Sequence, residues 1–368
     1  GDDLDVLVAM NPAGLKVHLS ELKEHGILII NTNNFTKKNL GLAKWENNPL
    51  EDQNMLDKYR SIQIPMTDLV KTALEDFELT PKEKARSTNM FALGLLYWLY
   101  ERDLETTIEF LDKKFAKKPI IASANIKALK TGYFYGETIE VIKTTYKVDK
   151  AEFEKGHYRN IMGNHALSLG LVVAAEKAGI ELFFGGYPIT PASDVLKYLS
   201  NYKNFGIKTF QAEDEIAAIT SILGAAFTGK LGVTASSGPG IALKGEAIGL
   251  AVITELPIII LNIQRGGPST GLPTKTEQSD LFQAMYGRNG ECPCVVVAPN
   301  SPSDCFNTAI DAVRIAIEHM IPVMLLSDGY IANGSEPWKI PSVDNIPKIK
   351  NNLVKSDKND FHPYNYNK

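Results

Sequence analysis

The sequence predicts an α/β protein, a doubly wound parallel sheet preceded by a smaller, partial α/β domain. From about residue 160 onward, short Val- and Ile-rich runs alternate with helical stretches, the pattern of parallel strands covered by helices on both faces. The first 136 residues show the same alternation on a smaller scale, and a charged interval without a sustained apolar period separates the two. At 368 residues the chain also exceeds what one hydrophobic core usually supports. The expected organisation is a small α/β domain over 1–136, a linker over 137–160, the main domain over 161–332 and an extended tail over 333–368.

In the first part, Leu4 to Met10 reads as a buried strand, Pro12 to His25 as a helix, and Gly26 to Ile30 as a second strand. A polar interval follows to about Lys58, broken by Asn47, Asn48 and Pro49. Ile62 to Met66 forms a short strand, with Thr67 as the expected cap of the next helix. Thr80-Pro81-Lys82-Glu83 supplies the cap, first-turn proline and early acid of another helix start. That helix is expected to carry Met90, Leu93, Leu96, Tyr97 and Tyr100 on one face, and a further helix spans about Leu104 to Phe115. In the main domain a helix over Ala166 to Ala178 leads into Glu181 to Phe184. Strands are then expected at 208–211, 231–235, 258–263, 295–298 and 323–326. The segment from Asn333, with Pro337, Pro341, Pro347 and Pro363, has no period and reads as an extended linker or docked tail.

Composition narrows the function classes. Hydrophobic residues are 44% and charged residues 22%, and the net charge of −4 argues against a nucleic-acid binder held by phosphate neutralisation. Three cysteines build no disulfide framework, so a reducing cytosol is the expected compartment. The longest apolar runs fall short of the ~20 residues of a membrane span, and no secretory signal opens the chain. The six histidines form no zinc-site spacing, the cysteines no iron–sulfur pattern, and no G-x-S-x-G elbow occurs. Cys292 and Cys294 read as buried structural thiols. The chain opens directly on a strand and closes on a Pro- and Asn-rich stretch, which suggests a piece of a longer protein.

Ligands of an open α/β sheet bind outside the carboxyl ends of the strands, so the loops leaving those ends are the candidates. Gly185-Gly186-Tyr187-Pro188-Ile189-Thr190-Pro191 pairs close-approach glycines with stiff prolines, and Thr190 stands where a helix cap would stand. Gln211-Ala212-Glu213-Asp214-Glu215 puts three acids at the start of a helix that then reads as small or apolar almost throughout. A carboxylate there is costly unless partnered or functional. Thr234-Ala235-Ser236-Ser237-Gly238-Pro239-Gly240 turns from strand to helix like an anion or cofactor cradle, without the P-loop or G-x-G-x-x-G pattern. The fourth loop, Gln264 to Thr274, places Arg265 alone among basic residues between Lys244 and Lys275. A guanidinium at a strand's carboxyl end suits a planar carboxylate.

Together these four segments resemble the alpha subunit of the 2-oxoacid:ferredoxin oxidoreductases, most closely the 2-oxoglutarate type. Tyr187 to Pro191 matches the family's Y-P-I-T-P motif. Arg265 to Thr274 with Gln278-Ser279-Asp280-Leu281 is similar to its long arginine-loop signature, and Gly163-Asn164-His165-Ala166 to its G-N-x-A entry. The resemblance covers roughly Gly163 to Gly329. Leu4 to Asn11, Pro65 to Thr67, Asn89 to Gly94 and Asn125 to Tyr135 resemble the later part of a fused gamma domain whose glycine-rich opening is missing.

The resemblance implies thiamine diphosphate as cofactor, with the main domain as its pyrimidine-binding half. A glutamate bonded to a pyrimidine ring nitrogen favours the imino tautomer, which takes the proton of the thiazolium carbon, and such a carboxylate works best partly desolvated. The resemblance implies Glu215 for that role, because its spacing to Gly224 and Gly229 is similar to the family's glutamate–glycine spacing, with Glu213 as fallback. Tyr187, Pro188, Ile189, Ser237 and Gly238 are the other expected cofactor contacts. Arg265 would hold the substrate carboxylate, Thr190 would bond substrate or the developing alkoxide, and Ser269 and Thr270 would line the substrate site. The implied activity is oxidative decarboxylation of 2-oxoglutarate to an acyl-coenzyme A with reduction of ferredoxin; pyruvate and branched-chain 2-oxoacids are the alternatives. The GDG motif for diphosphate and magnesium and the cluster cysteines are not found in the sequence, so Mg2+ and the iron–sulfur cluster are expected on a beta subunit, in a heterodimer or a dimer of such pairs. Two other readings are a non-catalytic partner-binding subunit of the same fold and a transketolase-like half-enzyme, whose phosphorylated substrates would demand more basic residues than Arg265 in these loops.

Overall fold

The computed structural model describes residues 3–138, 145–351 and 353. They divide into two compact units, Gly1–Phe153 and Glu154–Lys368. The division falls inside the expected linker. The helix Pro119–Thr138 runs into its start and the strand β4 (Tyr158–Met162) begins before its end, while residues 139–144 lie outside the described residues.

The first unit holds a three-stranded parallel sheet in the order β1 (Leu4–Ala9), β2 (Leu22–Asn31), β3 (Arg60–Ile64). The helix expected over Pro12 to His25 is Pro12–His18 only, followed by a 3-10 turn and by β2 from Leu22. Leu22 is buried and pairs with Leu4, and the chain then bulges through His25, at φ 62°, before Ile27 pairs with Val6. Burial of Leu22 thus overrides the helical reading. Thr67 is not a cap, because the helix begins at Met66, whose side chain is fully buried; the Thr67 hydroxyl accepts from Asn31 Nδ2 at 3.2 Å instead. Thr80 does cap Pro81–Arg86 in a capping box with Glu83. That helix ends at Ser87 and a second one, Thr88–Leu99, begins. Its buried side is Phe91, Gly94, Leu95 and Leu99 rather than the expected Met90, Leu93, Leu96 and Tyr97, which are only half-buried. The reason is a close helix crossing: a Cβ on Gly94 would sit 1.9 Å from Leu129 O, and one on Gly132 would sit 1.9 Å from Phe91 O.

The second unit is built on a six-stranded, all-parallel sheet. Its strands are β5 (Leu182–Gly186), β6 (Lys208–Gln211), β7 (Leu231–Ser236), β8 (Ile258–Gln264), β9 (Val295–Val297) and β10 (Val323–Asp328), in the order β6-β5-β7-β8-β10-β9. Alternate strand residues face opposite ways, so Val233, Leu261 and Leu325 pack under helices Gly163–Ala178 and Cys305–His319. Ile258, Ile260 and Met324 pack under helices Glu215–Phe227 and Gly245–Ile253. From β5 the chain steps to the sheet edge at β6 and returns to place β7 on the other side of β5. This reversal opens a crevice beyond the carboxyl ends of β5 and β7.

The segment from Asn333, expected to lack regular structure, forms β11 (Ser335–Lys339), antiparallel to β4. Pro337 is tolerated because a two-stranded ribbon leaves its backbone nitrogen at an edge. Trp338 packs on Phe306 at 5.2 Å between ring centroids, and Glu336 accepts from Ser301 Oγ and Ser303 N, both at 2.6 Å. Residues 352 and 354–368, with Pro363, lie outside the described residues. Among the described residues no helix is long and apolar enough to cross a membrane.

Candidate active site

Four loops leave the carboxyl ends of β5, β6, β7 and β8 side by side. After β6 the chain enters helix Glu215–Phe227 through Asp214, whose carboxylate caps it by accepting from Ala217 N at 2.7 Å. Asp214 and Glu213 are exposed, whereas Glu215 is 9% exposed. The helix is less enclosed than its composition suggests. Ile216, Thr220, Gly224 and Phe227 form an exposed stripe, so it is Glu215 at the head, not the helix as a whole, that is buried.

Gly240 makes room for Glu215. A Cβ built there would sit 2.1 Å from Ser236 Oγ, 2.9 Å from Glu215 Cγ and 3.0 Å from Glu215 Oε1. Ser236 and Ser237 are fully buried, and their hydroxyl oxygens have no hydrogen-bond partner. Ser237 precedes helix Gly238–Leu243 without capping it, and Gly238 turns the chain at φ +27°. Buried hydroxyls are normally satisfied, so two orphans beside a buried carboxylate mark a place built to receive polar groups.

Arg265 follows β8 and is 7% exposed, which removes the reading of a surface arginine. Its Nη1 donates to Thr190 O at 2.6 Å and its Nη2 to Thr270 O at 2.7 Å, while Nε has no partner. The guanidinium therefore clips the Tyr187–Pro191 loop to the arginine loop and keeps further N–H donors for a ligand. Thr190 does not cap a helix: the helix after it begins at Ser193 behind Ala192, and the exposed Thr190 contributes its carbonyl to the clip. Arg265 also lines an open cleft of about 520 Å3 with Gly238, Pro239, Leu243, Ser269 and Asp280.

The expected residues fall into two groups. Thr190, Arg265 and Thr270 are joined by hydrogen bonds, and Arg265, Gly238 and Ser269 share the cleft. Glu215 lies behind Gly240, two residues from Gly238. Tyr187 and Pro188 are exposed and Ile189 is half-buried; no hydrogen bond ties their side chains to the others. Asn164, in the G-N-x-A segment, donates from Nδ2 to Pro191 O at 3.1 Å, and a Cβ on Gly163 would approach Ile331 O to 2.2 Å. The arginine loop is tied down behind Arg265. Gln278 donates to Asp328 Oδ2 at 2.7 Å, Asn262 to Asp280 Oδ2 at 2.9 Å, and Asp280 N to Gln264 Oε1 at 3.0 Å.

Lys244 was not singled out by the sequence reading. It is fully buried, and its Nζ donates to Glu215 O at 2.8 Å. Burial pulls its pKa down to about 8, partly opposed by the charges of Glu215 and Asp214. The available signal was one lysine amid the otherwise small and apolar run Gly238 to Leu243 and Ala247 to Ile253. Cys292 and Cys294, expected to be buried, are both half-buried because they flank the exposed Pro293, whereas Cys305 is buried; desolvation pushes the Cys294 and Cys305 thiols up to about 11 and about 12, so both are unreactive. Among the described residues no group of three or more His, Cys, Asp or Glu side chains is placed to hold a metal ion.

The family model described as pyruvate flavodoxin/ferredoxin oxidoreductase, thiamine diphosphate-binding, matches residues 174–366, and that described as pyruvate ferredoxin/flavodoxin oxidoreductase matches residues 1–135. The chain is 55% identical to the 2-oxoglutarate oxidoreductase subunit KorA of Mycobacterium tuberculosis over 364 residues, which is 99% of this chain and 55% of that one. It is 40% identical over 198 residues to the 2-oxoglutarate synthase subunit KorA of Archaeoglobus fulgidus, covering 53% of this chain and 56% of that one. A solved structure of the 2-oxoglutarate:ferredoxin oxidoreductase from Magnetococcus marinus, with 2-oxoglutarate, coenzyme A and succinyl-CoA bound, matches with TM-score 0.81 and 31% identity. It covers 97% of this chain and 58% of that one. The chain thus spans about half the length of the curated relatives it matches.

Proposed function

Because the chain belongs to the pyruvate flavodoxin/ferredoxin oxidoreductase family, we propose that it is the thiamine-diphosphate-binding alpha part, with a fused gamma-type unit, of a 2-oxoglutarate:ferredoxin oxidoreductase. The observation that carries this reading is Glu215, a carboxylate buried behind Gly240 beside the unpartnered hydroxyls of Ser236 and Ser237, at the crevice where the strand order reverses. A buried acid and orphaned hydroxyls suit a heteroaromatic ring bearing an amino group, so the site fits the aminopyrimidine of the cofactor.

When bound, thiamine diphosphate supplies the carbon nucleophile and the electron sink for decarboxylating a 2-oxoacid. The Glu215 carboxylate would hold the aminopyrimidine by a hydrogen bond to a ring nitrogen, at a buried position where few waters compete. The unpartnered Ser237 Oγ and the backbone at Gly238 would line the ring's approach. Arg265 binds the substrate carboxylate through N–H groups not already given to Thr190 O and Thr270 O. The hydroxyls of Thr190, Ser269 and Thr270 surround that carboxylate and the carbonyl oxygen beside it. A beta subunit would contribute Mg2+ for the diphosphate and an iron–sulfur cluster, with ferredoxin as the electron acceptor and coenzyme A as the acyl acceptor. The choice of 2-oxoglutarate over pyruvate or branched-chain acids is supported by the names of the relatives above.

The test is anaerobic reduction of a one-electron acceptor by the full-length subunit assembled with its beta subunit, with 2-oxoglutarate, pyruvate and a branched-chain 2-oxoacid compared. 2-Oxoglutarate is expected to give the highest kcat/KM, and Glu215→Gln to lose about a hundredfold or more in kcat. Activity of Glu215→Gln within a few-fold of wild type removes Glu215 from the role, and a preference for pyruvate overturns the substrate.

A further inference from the structure

We propose that Lys244 is a positioning residue for Glu215, its buried ammonium fastening the first peptide of helix Glu215–Phe227 to the chain that leaves β7, so that the carboxylate faces the cofactor pyrimidine at a set distance. This rests on the role given to Glu215 above.

Three observations carry it. Lys244 has 0% exposure, yet lysine is among the residues least often buried, and removing its charge from water is costly. Its Nζ donates to Glu215 O at 2.8 Å across 29 residues of sequence, joining the helix that carries the acid to the helical segment that contains Gly240. The same segment meets Glu215 twice, since Gly240 abuts the Glu215 side chain while Lys244 holds its backbone. The helix head is thus gripped at both ends of one residue. A lysine serving only packing would be replaced by a leucine or methionine of similar volume at lower cost.

The groups that act on the ammonium are few. Glu215 and Asp214 attract it from the helix head, Glu246 on its own segment is exposed, and neither β8 nor the rest of helix Glu215–Phe227 holds another titratable side chain. With its pKa lowered to about 8, Lys244 is charged at neutral pH and loses its charge just above it. The charge-assisted bond to Glu215 O then becomes an ordinary one of about half the strength.

Thiamine diphosphate binding to the assembled complex, measured by calorimetry in excess Mg2+ from pH 6.5 to 9.5, tests the proposal on wild type, Lys244→Met and Lys244→Arg. In wild type the affinity should weaken by about tenfold across an apparent pKa near 8. Lys244→Met should bind about tenfold or more weakly at pH 7, without that alkaline limb and with an unchanged KM for the 2-oxoacid. Lys244→Arg should retain affinity while the limb disappears from the range. Equal affinity and an identical pH profile in wild type and Lys244→Met overturn the proposal. If Lys244→Met does not fold, a wild-type profile retained in Lys244→Arg overturns it equally. Failure of the Glu215 reading shows separately, as full activity of Glu215→Gln.

Discussion

Replacing Gly240 by alanine probes how closely Glu215 is held. The added methyl carbon would meet Ser236 Oγ at 2.1 Å, Glu215 Cγ at 2.9 Å and Glu215 Oε1 at 3.0 Å. The serine can rotate clear at little cost, because its hydroxyl has no partner to lose. The glutamate must retreat by a few tenths of an ångström, and its backbone cannot follow while Lys244 holds Glu215 O. Overpacking of this kind costs about 1–3 kcal/mol, and an alanine inside helix Gly238–Leu243 returns about 0.5–1 kcal/mol in helix propensity. Stability should therefore fall by no more than about 2.5 kcal/mol. Catalysis should fall further, since a misplacement of about 1 Å in a positioned group can cost about a hundredfold, and half that displacement about tenfold. The assays are thermal unfolding of the subunit and kcat of the assembled complex. A Gly240→Ala enzyme with wild-type kcat, whatever its melting temperature, would refute the reasoning that Glu215 is confined by Gly240 to a functional position.

Two further perturbations address the rest of the molecule. Arg265→Lys keeps the charge but cannot donate to Thr190 O and Thr270 O in one fork. The KM for 2-oxoglutarate should rise about tenfold or more and unfolding should move by about 1.5–3 kcal/mol, and wild-type values for both would show that the fork is dispensable. Gly132→Ala drives a methyl to 1.9 Å from Phe91 O, forcing the helices Thr88–Leu99 and Pro119–Thr138 apart. The first unit should lose about 3 kcal/mol or more, read by hydrogen exchange across Phe91 to Leu99, and a loss below about 1 kcal/mol would contradict the contact.

Much of this was legible from residue order. Strands β7, β8 and β10 stand within a few residues of their expected places, because a strand buried on both faces needs a continuous apolar run and little else; the edge strands β6 and β9 also fall where expected, although β6 is largely exposed and β9 half-buried. The Thr80 capping box and the four loops were legible for the same reason, being local in sequence. The misreadings share a cause. Leu22 was assigned to a helix because its pairing with Leu4 is invisible locally, and Thr67 to a cap because the burial of Met66 was not yet known. The face of Thr88–Leu99 turned because Gly94 and Gly132 let two helices approach at backbone distance. β11 was missed because it exists only through its pairing with β4, about 175 residues earlier in the chain.

The amino-acid order alone determined the parallel α/β plan, the loops that carry polar chemistry and the short set of acids and bases among them, since periodicity, punctuation and motif are properties of neighbours in the chain. Only the tertiary structure decided that Glu215 rather than Glu213 is the buried acid, that Arg265 clips two loops together, and that Lys244 sits beneath the helix head. The hydrogen bonds of Lys244 to Glu215 and of Arg265 to Thr190 join residues 29 and 75 apart in sequence, and the cost of leaving a charge unpaired is set by what surrounds it in space.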